Sequence, residues 1–253
     1  MNNELLYNMI FKRKSFHLFR DKCGSITNDE LDSIKSFLDS VIPLDSTIKI
    51  DIKIVKESDT TCSRGGEYCI LFYSEVKDNY LQNIGYIGEQ IDLYLASLDI
   101  GALWFGIGKP KVSIENGLEY VIMISIAKVP SDKFRRDMFK AKRKLLDEIY
   151  SGTNMEDIFN ITRFAPSACN TQPWYVKEEN NSYYVYRFKK PGKRGIMPDS
   201  KVTYYNRIDI GIFILIMEVC LQKNNKVFDR KIHLDDGNIT KELSLNAIYT
   251  LKN

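Results

Sequence analysis

Two long apolar helical segments constrain the fold of this chain more than any other feature. In the first, apolar side chains recur at spacings of three and four from Leu81 to Leu98, and the pattern ends before Gly101. The second, from Asn206 to Gln222, is hydrophobic nearly all round, which predicts a fully buried helix. Two such helices are natural packing partners, so the pattern favours one shared core over two separate domains.

Strand-like runs flank the first of these helices. Ile48–Ile54 alternates strictly between apolar and charged residues, which is the period of a strand with one wet face. The runs 69–73 and 120–127 are nearly continuous in apolar residues and are bounded by polar turns. Such runs are typical of central strands that are buried on both faces.

The second half of the chain also contains predicted strands. The stretch 174–188 predicts a hairpin that turns at Asn180-Asn181. Weak alternation over 227–234 and 246–251 predicts edge strands at the end of the chain.

Shorter helices precede the strands in both halves. The T-x-x-E spacing of Thr27–Glu30 is a capping box that predicts a helix over 28–41. Thr153–Glu156 has the same spacing and predicts a helix that continues to about Phe164. A further short helix is predicted over Leu5–Phe11.

The two halves therefore share an outline of capped helix, strand material, long helix and closing strand, although their direct residue identity is slight. Eight Lys or Arg residues occur within the seventeen residues 128–144, which is typical of a solvated connector. The predicted organisation is a first half over 1–130, a basic connector over 131–150 and a second half over 151–253, all around one shared core.

The charge balance excludes several classes of partner. Lys and Arg number 36 against 33 Asp and Glu, so a net charge of +3 leaves no large basic face for a nucleic acid. The longest nearly uncharged stretch, 210–217, is far shorter than the roughly 20 residues that span a bilayer. The first residues do not resemble a signal peptide. We therefore expect a globular cytoplasmic protein without a membrane partner.

The five cysteines are scattered and form no C-x-x-C pair. This odd set predicts free thiols in a reducing compartment, without a disulfide framework or a zinc site. Because His17 and His233 are the only histidines, a histidine-rich metal centre is not expected either.

Two glycine-rich or basic segments have ordinary structural explanations. Gly101–Pro110 departs from the P-loop spacing at Ile107 and follows a helix, so it predicts a helix stop and a turn. Arg13-Lys14-Ser15, followed by His17 and Arg20, is typical of a solvated helix end, although an anion site uses the same donors.

The segment Ala165–Trp174 is more specific. Pro166 and Pro173 stiffen it, and Asn170 and Gln172 offer amides that both donate and accept hydrogen bonds. Trp174 is expected to anchor it in apolar surroundings. Such a loop suits recognition of a flat heterocycle, and physical reasoning alone weighs this equally with a structural loop.

These residues resemble the flavin-dependent nitroreductases. Ala165–Trp174 (A-P-S-A-C-N-T-Q-P-W) is similar to that family's A-P-S-x-x-N-x-Q-P-W loop, and Arg13-Lys14-Ser15 is similar to its phosphate turn. The stretch 83–104 resembles its long helix and the following Gly-x-x-Trp, and 140–148 resembles its basic K-x-R segment with Leu145 in place of proline. The resemblance covers about residues 5–222.

The resemblance implies an α+β fold in which mainly antiparallel sheets flank long central helices. In ordinary members the turn and the loop lie close together in sequence, and two subunits build two equivalent flavin sites. Here the turn and the loop are about 150 residues apart and each occurs once. This order resembles a branch with two pseudo-symmetric halves fused in one chain, and it implies one FMN per chain.

The resemblance also assigns residues and an activity. On the phosphate side it assigns Arg13, Lys14, Ser15 and His17, joined by Lys142 or Arg143, and around the flavin ring it assigns Ala102, Leu103, Trp104, Pro166, Ser167, Ala168, Asn170 and Gln172. No side chain receives a catalytic role, because the flavin carries the chemistry.

The implied function is an FMN-dependent oxidoreductase that passes hydride from NAD(P)H to a nitroaromatic, quinone or similar acceptor. The alternatives are an FMN-binding or storage protein without turnover, and a flavin reductase or dehalogenase of the same fold. A monomer is expected, with a homodimer as the alternative.

Overall fold

Helices alternate with mainly antiparallel strands in the computed structural model, which describes residues 3–112, 117–190, 192, 194–237 and 242–252. The helices are α1 (Asn3–Lys12), α2 (Asn28–Leu38), α3 (Tyr80–Ser97), α4 (Leu146–Ile149), α5 (Glu156–Thr162) and α6 (Asp199–Lys223). The strands are β1 (Ile50–Lys56), β2 (Tyr68–Ser74), β3 (Ile100–Phe105), β4 (Glu119–Lys128), β5 (Tyr150–Ser151), β6 (Trp174–Glu179), β7 (Ser182–Phe188), β8 (Phe228–Ile232) and β9 (Leu243–Leu251). The predicted α+β class is confirmed.

The first of two compact units comprises Met1–Tyr80 and Ile87–Met138. Its four-stranded antiparallel sheet has the order β1-β2-β4-β3. The central strands β2 and β4 are buried along most of their length, as their apolar runs predicted. The helix stop predicted before 101–110 is confirmed, because α3 ends at Ser97. The first residues of this segment were not expected to be a strand, but Ile100–Phe105 pairs with β4, and the predicted turn comes only after Phe105.

The second unit comprises Leu81–Tyr86 and Phe139–Asn253. Its five-stranded sheet has the order β5-β6-β7-β9-β8, and only the β5–β6 pair is parallel. The predicted hairpin is confirmed, since Asn180 and Asn181 both adopt positive φ in the two-residue turn between β6 and β7. The last strand, β9, was expected at an edge, but it lies between β7 and β8, where Ala247 and Tyr249 are fully buried.

The two sheets repeat one order of connections. In the first unit a hairpin (β1, β2) leads through α3 to a second hairpin (β3, β4), and the sheet order is β1-β2-β4-β3. In the second unit β6 and β7 lead through α6 to β8 and β9, and the corresponding order is β6-β7-β9-β8. The outline that the halves share in sequence is therefore also a shared strand topology.

The helix α6 is buried continuously from Ile208 to Leu221, as its apolar composition predicted. It begins at Asp199, seven residues before the predicted start at Asn206, because its first two turns are polar and lack the apolar pattern. Within the second unit, a Cβ at Gly211 would overlap the carbonyl oxygen of Gln82, and a Cβ at Gly85 would overlap that of Ile208. These two glycines allow the backbones to approach closely.

The two capping boxes have different outcomes. Thr27 and Glu30 cap α2 reciprocally, although that helix ends at Leu38 and not at residue 41. The box at Thr153 is wrong, because α5 begins after Met155 without a side-chain cap. The backbone N–H groups of Thr153 and Asn154 donate to Glu178 instead. Among the described residues, no helix is long and apolar enough to cross a bilayer.

Candidate functional site

The Arg13-Lys14-Ser15 turn follows directly on α1 in the first unit. Ser15 forms a parallel bridge with Ala102, and the Phe16 N–H donates to the Ala102 carbonyl at 3.0 Å. Two of the segments assigned to the cofactor, the turn and the strand 102–104, are therefore neighbours in this unit. Leu103 and Ala102 are buried within β3, whereas Trp104 is partly buried.

Arg13 lies inside the unit and is only 4% exposed. Its Nε donates to Asp92 Oδ2 at 2.7 Å, and Trp104 Nε1 donates to the same oxygen at 3.0 Å. Burial lowers the pKa of Arg13, but the carboxylates of Asp92 and Glu89 outweigh this and raise it overall. Arg13 Nη2 is buried without a hydrogen-bond partner among the described residues. One donor of this fixed cation is thus unused.

The other residues of the turn are more accessible. Lys14 is exposed, and its Nζ donates to the Lys133 carbonyl at 2.9 Å. Ser15 is half-buried, and His17 is exposed. The turn therefore presents a lysine and a hydroxyl at the surface while Arg13 is held behind them.

Sequence reasoning missed a second arginine at this turn. The Arg135 N–H donates to the Lys12 carbonyl at 3.0 Å, and its half-buried guanidinium lies near Arg13. Burial, and then the charge of Arg13, lower the pKa of Arg135 to about 10. No carboxylate among the described residues pairs with it. Two like charges held together in this way favour a bound anion. The only sequence signal was its position within the basic run 128–144.

In the second unit the basic residues assigned to the phosphate contact the Ala165–Trp174 loop. Arg143 Nη1 donates to Asn170 Oδ1 at 3.0 Å, and Asn170 Nδ2 donates to the Lys142 carbonyl at 3.2 Å. The Lys144 N–H donates to Gln172 Oε1 at 2.7 Å. The structure therefore brings together Lys142, Arg143, Asn170 and Gln172 within this unit.

The loop has an unusual backbone. Cys169, Asn170 and Gln172 all adopt positive φ, at 48°, 56° and 48°. Such conformations are costly for residues other than glycine and persist where surrounding contacts enforce them. The Gln172 N–H donates to Ser167 Oγ at 2.9 Å, which closes the loop on itself. Trp174 is fully buried and stacks on Phe213, as expected for an anchor.

Two polar residues on α6 hold this loop, and sequence reasoning gave neither a role. Asp209 Oδ1 accepts the Ala168 N–H at 2.9 Å, and Asn206 Oδ1 accepts the Thr171 hydroxyl at 2.9 Å. Burial raises the pKa of Asp209 to about 8, against the hydrogen bonds from Ala168 and Thr171 that lower it. The available signal was a carboxylate and an amide within an otherwise apolar helix.

Cations also collect around this loop. Arg163 Nη1 donates to the Lys144 carbonyl at 2.9 Å. Burial lowers the pKa of Arg163, and it also lowers that of Lys144 although Glu148 opposes the shift. The loop therefore combines a constrained backbone, amide groups and positive charge, which suits a polar, anionic heterocyclic ligand.

Comparison with known structures defines the class of fold. A solved structure described as a “putative nitroreductase” from Thermotoga maritima MSB8 matches with a TM-score of 0.60 at 18% identity, over 97% of this chain and 93% of that chain. The fold is therefore that of a nitroreductase-like α+β protein.

The family is shown by sequence. A model of the family described as “Putative TM nitroreductase” matches residues 5–220, and the chain belongs to this family. The resemblance seen in the loop and the turn is thereby confirmed at the level of a nitroreductase-like family, which supports an oxidoreductase. No curated protein sequence matches the chain.

Proposed function

We propose that this protein is an FMN-dependent oxidoreductase that takes hydride from NAD(P)H and reduces a nitroaromatic, quinone or similar acceptor. The main observation in support of this proposal is the backbone conformation of the Ala165–Trp174 loop. Three non-glycine residues with positive φ are held there by contacts with the buried polar groups of α6 and with the basic segment 142–144. Strain of this kind at a family motif is expected where a ligand is recognised.

Residues of the first unit fit a phosphate group. Lys14 and Ser15 present donors at the surface, Arg13 keeps an unused buried N–H group, and Arg135 has no carboxylate partner among the described residues. We assign these four residues to the phosphate of FMN. His17 is exposed two residues beyond Ser15 and remains part of this assignment.

Residues of the second unit fit the flavin ring. The stretch Pro166–Ala168 would lie along it, and the amides of Asn170 and Gln172, fixed by Arg143 and Lys144, would meet its polar edge. In the first unit, the main chain of Ala102–Trp104 would meet the ring as well. Lys142 contributes through its carbonyl, which holds Asn170.

The mechanism requires little acid–base chemistry from the protein. Bound FMN supplies the transfer of hydride between the nicotinamide and the acceptor. The cations would compensate the negative charge of the phosphate, and positive charge near Gln172 would stabilise negative charge that develops in the ligand. The rigid loop would keep the ring in one orientation.

We further propose that the chain is a fused pseudo-dimer that binds one FMN per chain and acts as a monomer. The repeated strand order supports the duplication, and each flavin motif occurs once. The halves are proposed as 1–130 and 151–253, with the connector 131–150 between them.

Arg135 offers a specific test of the phosphate assignment. Arg135→Gln should weaken FMN binding about 10- to 100-fold, because a charge-assisted hydrogen bond contributes about 1.5–3 kcal/mol. The affinity is measured by quenching of FMN fluorescence. The neighbouring exposed Arg136 serves as the matched control, and Arg136→Gln should leave the affinity within about twofold. Equal losses in both variants would refute the assignment.

Turnover is tested on the FMN-loaded protein under anaerobic conditions. NADH or NADPH should bleach the flavin absorbance, and a nitroaromatic or quinone should restore it. Binding of FMN without bleaching would favour the storage function. Failure to bind FMN at all would overturn the proposal.

A further inference from the structure

A buried cluster of two thiols and a carboxylate lies in the first unit. Glu57, Cys62 and Cys69 each place one ligand atom so that all three atoms lie within 4.8 Å of one another. Glu57 begins a single 3-10 turn after β1, Cys69 belongs to β2, and Cys62 lies in the connection between them. All three residues are less than a tenth exposed.

The carboxylate of Glu57 is already oriented. Oε1 accepts the Gly65 N–H at 2.9 Å, and Oε2 accepts the Gly66 N–H at 2.8 Å and the Ser125 hydroxyl at 2.7 Å. A Cβ at Gly66 would overlap the side-chain oxygens of Glu57 and Ser125, so a larger residue there would displace both groups. Hydrogen bonds of this kind orient the carboxylate ligands of metal sites.

The thiols also have donors suited to thiolates. The Arg64 backbone N–H and the Ser125 hydroxyl interact with Cys62, and the Thr60 hydroxyl lies 3.7 Å from Cys69 Sγ. Burial outweighs these donors and raises the pKa of both thiols, whereas a bound cation would favour the thiolates. The connection 62–69 thus supplies N–H groups from Arg64, Gly65 and Gly66 around a cluster of three potential anions.

The ligand types select the metal. Thiolate sulfur prefers thiophilic cations, and two thiolates with a carboxylate form a donor set for tetrahedral Zn²⁺ with a fourth position for water. Zinc–sulfur bonds of about 2.3 Å place two sulfurs about 3.8 Å apart in a tetrahedron. Because the three ligand atoms lie within 4.8 Å of one another, an adjustment of no more than about 1 Å would bring the sulfurs to this distance.

We propose that Glu57, Cys62 and Cys69 bind one Zn²⁺ ion in the first unit, with water as the fourth ligand. Binding releases the two thiol protons to solvent and requires no oxidant. The site holds the connection 57–69 against β4 through Ser125. This proposal departs from the prediction of no zinc site, because the E-x₄-C-x₆-C spacing matches no common zinc motif and the fold alone brings the ligands together.

The test uses the full-length protein, reduced and freed of metal with a chelator. Titration with Co²⁺ should produce the sulfur-to-cobalt charge-transfer absorption at one equivalent per chain, and Zn²⁺ should abolish it by displacement. In the Cys62→Ser/Cys69→Ser variant the affinity should fall at least about 100-fold. Cys220→Ser removes a buried thiol outside the cluster and should retain full binding.

A second measurement needs no variant. Zn²⁺ should protect Cys62 and Cys69 of the wild-type protein from alkylation under mildly denaturing conditions, as read by mass spectrometry, while the exposed Cys23 and Cys169 react at the same rate with and without zinc. Absence of the charge-transfer band from the wild type, its persistence in the double variant, or equal protection of all cysteines would each overturn the proposal.

Discussion

The long helix of each unit carries two polar residues three positions apart, and each pair holds a different segment. In α3, Glu89 and Asp92 surround the guanidinium of Arg13. In α6, Asn206 and Asp209 accept hydrogen bonds from the Ala165–Trp174 loop. The topologically equivalent helices thus fix a cation in one unit and a strained backbone in the other.

This difference shows that a repeated fold does not repeat a site. The hairpin, helix and hairpin recur with the same strand order. The segments assigned to FMN precede the repeated hairpins or lie on one strand of them, and they differ in sequence and charge. The repeated topology therefore supplies the scaffold, and the chemistry depends on which segment each helix holds.

The largest effect is expected at the acid that holds Arg13. Asp92→Ala leaves a buried guanidinium with Glu89 at 3.8 Å as its remaining partner, and it removes the acceptor of Trp104 Nε1. Breaking a buried pair in this way costs about 3–5 kcal/mol. Urea unfolding measures the loss. Asp32→Ala, which removes an exposed pair with Lys35, should change stability by less than about 1 kcal/mol, and a similar loss in both variants would contradict the comparison.

Close packing offers the next test. Gly211→Ala in the second unit meets the backbone carbonyl of Gln82, which cannot rotate away, so it should cost about 1–3 kcal/mol or more. Gly88→Ala in the first unit meets the ring of Trp104 and no backbone atom, so it should cost less. Thermal unfolding of both variants measures the two losses of stability. A larger loss in Gly88→Ala than in Gly211→Ala would contradict this prediction.

The pH dependence of stability should reveal Asp209. Its folded pKa of about 8 lies above that of an unfolded aspartate, about 3.9. Between these values the folded state binds more protons, so this residue's contribution to stability falls as the pH rises through about pH 4–8. The free energy of unfolding of the wild type should therefore decrease relative to Asp209→Asn over this range. A constant difference between the two proteins would show that Asp209 does not titrate on unfolding.

The smallest expected loss of stability comes from the capping boxes, and it should differ between Thr27 and Thr153. Thr27→Ala removes a hydrogen bond to the Glu30 N–H and should cost about 1 kcal/mol. Thr153→Ala removes no cap and should stay within about 0.5 kcal/mol. Chemical denaturation of the two variants makes the comparison, and equal costs would show that Thr153 caps α5 in solution.

Local features of the fold were predictable, and long-range ones were not. Apolar runs predicted β2 and β4, and Asn180-Asn181 predicted its hairpin, because each depends on neighbouring residues. The position of β9 depends on pairing partners far along the chain, and sequence pattern does not reveal them. The Thr153 box failed because Glu178, more than twenty residues away, takes the N–H groups of Thr153 and Asn154.

The residues of the candidate site also fall into those that sequence could predict and those that it could not. The turn and the loop were recognisable as motifs, whereas their supporting partners were not. Arg135 lies at the turn through a backbone contact with Lys12, and Asp92 and Asp209 act from helices that are distant in sequence. Only the fold shows which charged residues in a basic run or an apolar helix meet a given segment.

We propose above all that the chain binds one flavin, which NAD(P)H reduces. Titration of the purified protein with FMN, followed by absorbance during anaerobic addition of NADH or NADPH, tests it most directly. We expect saturation at one equivalent of FMN per chain and bleaching of the bound flavin. Absence of binding, or saturation at two equivalents, would contradict it.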